Sequence, residues 1–179
     1  MNKTVVILST SPRRNSNSEA LAEAFARGAA DAGNDVEIIR MREKNMRFCL
    51  GCFACQRTGK CVIKDDMAEI VPKMERADVL VFATPIYYYE MSGQMKTLLD
   101  RANPLFVADY RFRDVYFLSS AAEDEDSVPQ RAQSGLEGWI ACFEKARLAG
   151  TVFGGGVTET SEIRGSAALE KAYEMGRAV

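Results

Sequence analysis

Apolar positions along this chain change period in a regular way, with short solid runs alternating with stretches spaced three and four residues apart. Val5-Val6-Ile7-Leu8 is a solid run and reads as a buried strand; beyond a polar loop, Leu21, Ala24, Phe25 and Gly28 follow at helical spacing up to a stop around Gly33-Asn34. Val36-Glu37-Ile38-Ile39 is the next strand. Met67, Ile70, Val71 and Met74 stand at i, i+3, i+4 and i+7, and the strand Val79-Leu80-Val81-Phe82 follows directly. The alternation continues with a helix on Met95, Leu98, Leu99 and Ala102, a strand at Val115-Tyr116-Phe117-Leu118, and a helix on Leu136, Trp139, Ile140 and Phe143. Thr151-Val152-Phe153 is a last strand, and Leu169, Ala172, Tyr173 and Gly176 a last helix. The pattern predicts five strands with a helix after each.

Strands that are apolar along their length and separated by helices belong in a parallel sheet covered on both faces, because right-handed crossovers put helices on each side. The expectation is a three-layer α/β domain over residues 1–179, doubly wound, with five parallel strands in the flavodoxin-like order 2-1-3-4-5. In that order the ligand crevice lies at the carboxyl ends of strands 1 and 3, so the loops after Leu8 and after Ala83 should form one site. Residues 44–64 form an insertion, unusually long for such a connection.

Composition narrows the function. Lys+Arg 23 against Asp+Glu 25 leaves a net charge of −2, which offers no broad basic field for nucleic acid or an anionic membrane. The N-terminus has only four consecutive strongly apolar residues and no segment approaches the ~20 needed for a membrane span, so a cytoplasmic protein is expected. The chain has no histidine, which excludes Ser-His and Cys-His nucleophiles and His-ligated metals.

The first-strand loop, Ser9-Thr10-Ser11-Pro12-Arg13-Arg14-Asn15-Ser16-Asn17-Ser18, opens a helix whose dipole favours an anion. It lacks the glycines of a Walker loop or a dinucleotide fingerprint. Asn17 or Ser18 capping the helix would account for one residue, whereas four serines, a threonine, two asparagines and two arginines at the switch point exceed what one cap requires. After the third strand, Pro85-Ile86-Tyr87-Tyr88-Tyr89 leads to a helix that Ser92 is expected to cap. Core or interface packing is the competing use for these tyrosines. Glu123-Asp124-Glu125-Asp126 reads as a solvated acidic loop, and Gly154 to Thr160 as a turn, a lid or an arm to a neighbour.

Four of the five cysteines fall within thirteen residues: Cys49, Cys52, Cys55 and Cys61. In a reducing compartment such crowding points to metal ligands or redox thiols rather than disulfides. Three readings compete: a [4Fe–4S] cluster, which the C-x2-C-x2-C spacing suits best; zinc, which more often uses two separated knuckles; and free thiols. Cys142, on a helical pattern beside Phe143, is expected to be a buried small hydrophobe.

Ser-Pro-Arg-x-Asn-x-Asn-Ser-Glu-Ala-Leu is similar to the first loop of the flavodoxin-like NAD(P)H-dependent FMN reductases, with Thr10 where the family pattern has glycine and Ser18 where it has threonine. Thr84-Pro85-Ile86-Tyr87 resembles the family's second flavin loop, and the four cysteines with Lys64-Asp65-Asp66-Met67 resemble the iron–sulfur flavoprotein subset. The likeness covers most of residues 4–103. It implies FMN, with Ser11, Arg13, Ser16, Asn17 and Ser18 on the phosphate and Pro85, Ile86, Tyr87, Tyr88, Ser119 and Ser120 around the ring. It further implies that NAD(P)H delivers hydride to the flavin, with no catalytic side chain required, and that a cluster on the cysteines would admit a donor such as ferredoxin. The acceptor would be a quinone, another small molecule or a redox protein, and the assembly a homodimer or homotetramer. An electron carrier with no substrate of its own and a redox or metal sensor are the rival functions.

Overall fold

The computed structural model describes residues 2–179. Its strands are β1 (Thr4–Ser9), β2 (Asp35–Arg40), β3 (Val79–Tyr87), β4 (Glu90–Met91), β5 (Asp114–Ser120) and β6 (Arg147–Gly154). Its helices are α1 (Asn17–Asp31), α2 (Ala54–Thr58), α3 (Met67–Arg76), α4 (Gly93–Arg101), α5 (Gln130–Ile140) and α6 (Ala167–Arg177). The five long strands pair in parallel in the order β2-β1-β3-β5-β6. This is the expected doubly wound order once β4, a two-residue antiparallel partner of β3, is set aside.

The solid apolar runs are explained by burial on both faces. Val5 and Ile7 of β1, with Val79 and Val81 of β3, pack beneath Leu21, Phe25 and Ala29 of α1 and Ala172 of α6. The alternate residues Val6, Leu8, Leu80 and Phe82 pack against Met67 and Met74 of α3, Met95 and Leu98 of α4, and Leu136 of α5. The two-residue period of a strand thus feeds two cores, one on each side of the sheet. Helices α1 and α6 meet at glycine: a Cβ on Gly28 would lie 2.0 Å from the Tyr173 carbonyl oxygen, and one on Gly176 would lie 2.1 Å from that of Phe25.

Two local readings change. Ser16, not Asn17 or Ser18, caps α1, its Oγ accepting from the Glu19 amide at 3.2 Å. The 44–64 insertion carries the short helix α2, flanked by left-handed Phe53 (φ 53°) and Gly59 (φ 69°). Among the described residues no helix is long and apolar enough to cross a membrane.

Candidate functional site

The loop after β1 is tied to the end of β3 by a buried hydroxyl knot. Thr10 donates its amide and its Oγ1 to the Ala83 carbonyl at 2.9 and 3.0 Å. Ser92 caps α4 by accepting from the Met95 amide, and its Oγ lies 3.1 Å from Thr84 Oγ1 and 3.2 Å from Thr10 Oγ1. A hydroxyl at position 10 therefore does what a glycine cannot, and Thr10 is not among the positions with positive φ.

Above the knot, Ser11, Arg13, Ser16 and Asn17 face Pro85, Ile86, Tyr87 and Ser120 across a cavity of ≈ 160 Å³. Val157 to Thr160 complete its wall. This segment is strapped down: Arg13 Nη1 donates to the Thr158 carbonyl at 2.8 Å and Asn17 Nδ2 to that of Glu159 at 2.9 Å. Asn17 Oδ1 also accepts from the Ile163 amide at 3.2 Å. The strap is held from its other side, where the Gly156 and Val157 amides donate to the Glu123 and Ala121 carbonyls. The second half of the Gly154–Thr160 stretch is thus one wall of the cavity.

The other wall ends in a strained hairpin. Tyr87 pairs with Glu90, leaving Tyr88 (φ 51°) and Tyr89 (φ 65°) as a two-residue turn in which both residues are left-handed. Such turns favour Asn-Gly, and bulky residues there cost about 1–2 kcal/mol each. The turn holds Tyr88 98% exposed, beside a second hollow that shares Ile86, Ala121 and Ala122 with the first.

Of the residues expected around a flavin, Ser11, Arg13, Ser16, Asn17, Pro85, Ile86, Tyr87 and Ser120 line one cavity. Ser18 is buried behind Ser16, their hydroxyls 3.5 Å apart, and Tyr88 lines the neighbouring hollow. Ser119 is buried at the carboxyl end of β5, and its hydroxyl, like that of Ser9 at the end of β1, finds no partner among the described residues. A guanidinium, hydroxyls and a helix N-terminus on one side, with proline, isoleucine and tyrosine on the other, fit a ligand that joins a phosphate to a planar ring.

The cysteine loop forms a second site. Cys49, Cys52, Cys55 and Cys61 line a cavity of ≈ 440 Å³, walled by Leu50, Phe53, Ile63, Leu99, Phe106, Trp139 and Phe143. Cys55 is buried, and its sulfur accepts from Asn103 Nδ2 at 3.1 Å; Cys49 Sγ accepts from the Gly51 amide at 3.4 Å. Among the described residues no three ligating side chains converge as they would on a single metal ion. Four thiols set around one space with apolar walls fit a body large enough to fill it, as a cube with four corners is. Cys142 corrects its sequence reading: α5 ends at Ile140, so Cys142 leaves the apolar stripe and lies exposed at the rim of this cavity.

At the base of the loop, Arg101 and Asp65 form an ion pair whose two side chains have no exposure. Arg101 holds the Asp65 carboxyl below the usual carboxylate range, with help from the Arg47 and Met67 amides. The sequence pattern does not mark Arg101 as functional, because its partner lies 36 residues away in the chain. Lys64-Asp65-Asp66-Met67 was the one signal nearby.

Comparison with known proteins bears on both sites. An iron–sulfur flavoprotein of Methanocaldococcus jannaschii is 38% identical over 101 residues, covering 56% of this chain and 52% of that protein. One from Archaeoglobus fulgidus is 36% identical over 94 residues, 52% of this chain and 43% of that one. The chain therefore spans about half the length of the curated relatives it matches. The NAD(P)H:quinone oxidoreductase from Methanothermobacter marburgensis superimposes with a TM-score of 0.77 at 22% identity, over 99% of this chain and 96% of that one, a likeness of fold. Residues 3–144, which contain the first-strand loop, the cysteine run and the tyrosine hairpin, match one family along their whole length, and by that match the chain belongs to the NADPH-dependent FMN reductases.

Proposed function

We propose that this protein is an FMN-dependent oxidoreductase that takes electrons from NAD(P)H, or from a ferredoxin-like donor, and passes them to a quinone or another small acceptor. The observation that carries this reading is the cavity in which Ser11, Arg13, Ser16 and Asn17 stand opposite Pro85, Ile86 and Tyr87. Arg13 and the amino end of α1 supply positive potential for the phosphate, and the Ser11 and Ser16 hydroxyls orient it. Pro85 stiffens the wall against which the ring rests, and the Val157–Thr160 strap excludes water from the phosphate end. Bound FMN would supply the redox chemistry, which suits a chain that has no histidine.

Cys49, Cys52, Cys55 and Cys61 would hold a [4Fe–4S] cluster, which supplies one-electron exchange. The cavity they line, and relatives named iron–sulfur flavoproteins, support this part of the reading. Phe48, Leu50, Phe53, Val62, Phe106 and Val107 are all about half exposed or more, and an apolar surface of this kind supports a homodimer or homotetramer in which a second copy covers the loop. Five cysteines, none of them in a disulfide among the described residues, suit a reducing, cytoplasmic setting.

The test is a visible spectrum of protein purified without oxygen, followed by titration with NADPH and NADH. Bound FMN that bleaches on addition of either nucleotide, and turnover with a quinone, are expected. Colourless protein that does not bind added FMN would overturn the flavin reading, and FMN-loaded protein inert to both nucleotides and all small acceptors would make it a carrier.

A further inference from the structure

Burying a guanidinium is costly unless its charge and its N–H groups are matched, so a fully buried arginine needs a structural account. Arg101 is 1% exposed at the last position of α4. Its Nη1 and Nη2 grip the two Asp65 oxygens at 2.6 and 2.8 Å, and Nη1 also donates to the Arg47 carbonyl at 2.6 Å. Asp65 in turn accepts from the Arg47 amide at 2.9 Å and the Met67 amide at 3.2 Å. Arg47 lies two residues before Cys49 and Asp65 four residues after Cys61, so one ion pair clasps the chain on both sides of the cysteine run.

The same short stretch reaches the sulfurs. Asn103, two residues beyond Arg101, donates to Cys55 Sγ at 3.1 Å. Arg101 Nε is buried and has no partner among the described residues.

We propose that Arg101 and Asn103 are positioning residues for the cysteine centre: Arg101 clasps the loop on both sides of the cysteine run, while Asn103 donates to Cys55, so that the loop is held in place and its bound centre is easier to reduce. The proposal rests on the cluster reading above. Donors to ligand sulfurs stabilise the negative charge added on reduction, so they raise the potential. Neither residue ligates: Asn103 acts through Cys55, and Arg101 through the loop it clasps.

The test uses the full chain, loaded with FMN and reconstituted anaerobically with ferrous iron and sulfide. Asn103→Leu keeps the volume and removes the donor; its centre should become about tenfold harder to reduce, a fall of ~59 mV for a one-electron couple, at unchanged iron content. Arg101→Lys keeps the charge and loses the fork, and should lose iron to a ferrous chelator at least tenfold faster than wild type. Wild type that takes up neither iron nor sulfide overturns the cluster reading and this proposal with it. Loaded wild type with an unshifted potential in Asn103→Leu overturns the proposal alone and leaves the cluster standing. Wild-type chelation rates in Arg101→Lys overturn the clasp, and should that variant fail to fold, the Asn103→Leu potential decides.

Discussion

Replacing glycine by alanine should have opposite effects at two helical positions of this protein. In an open helix the change relieves backbone entropy and gains up to about 1 kcal/mol. Gly138 of α5 has nothing within 4 Å of an added Cβ, so Gly138→Ala should stabilise by about 0.5–1 kcal/mol and raise Tm by ~1–4 °C. At Gly28 of α1 the added Cβ would meet the Tyr173 carbonyl oxygen at 2.0 Å and the Arg177 amide nitrogen at 2.9 Å. Both are backbone atoms of α6, which no rotamer change can move. The helices must part by more than 1 Å, loosening the core beneath them, and overpacking of this kind costs about 1–3 kcal/mol or more. That loss exceeds the propensity gain, so Gly28→Ala should lower Tm by ~2–10 °C, at the 2–4 °C per kcal/mol expected for a chain of this size. Urea unfolding of the three proteins, followed by circular dichroism, gives the midpoints, and equal m-values would show that stability alone has changed. A Gly28→Ala protein as stable as wild type would refute the close approach of α1 and α6.

Three further outcomes test the sites. Asp65→Asn removes one partner of a buried pair and should destabilise by ~3–5 kcal/mol; because Arg101 holds the Asp65 carboxyl low, its contribution in wild type is complete above the unfolded carboxylate value of ~3.9 and lost as pH falls through the depressed folded value. Urea midpoints from pH 7 to 3 should therefore fall more steeply in wild type than in Asp65→Asn, and parallel curves would contradict the assignment. Asn17→Ala releases the strap from the Glu159 carbonyl and the Ile163 amide and should weaken FMN binding about tenfold, measured by flavin fluorescence quenching; unchanged affinity would show that the strap is irrelevant to the ligand. Changing Tyr88-Tyr89 to Asn-Gly removes two left-handed tyrosines and should raise stability by about 1–3 kcal/mol while weakening FMN binding severalfold, so a variant with wild-type stability would refute the strain.

The sheet was legible because its central strands are solid apolar runs, and only burial on both faces makes such a run favourable in water. Val5 to Leu8 and Val79 to Phe82 needed no partner information to be read. Ser92 was legible as a cap, and the crowded cysteines as one chemical object. Other features were not legible. That Ser16 and not Asn17 caps α1 depends on the angle at which the chain leaves β1, and capping by Ser16 frees Asn17 to reach Glu159, 142 residues away.

By itself, then, the chain's residue pattern determined what is local or periodic: the layers, the strand order, the polar loop at the switch point and the thiol spacing. The tertiary structure decided which distant groups meet. It brought Val157 to Thr160 against the loop after β1, moved Cys142 from a helical stripe to the rim of the cysteine cavity, and sealed Arg101 against Asp65 at the base of the cysteine loop. Burial of a charge or exposure of a thiol belongs to the space between elements, and a residue's sequence neighbours do not specify what fills that space.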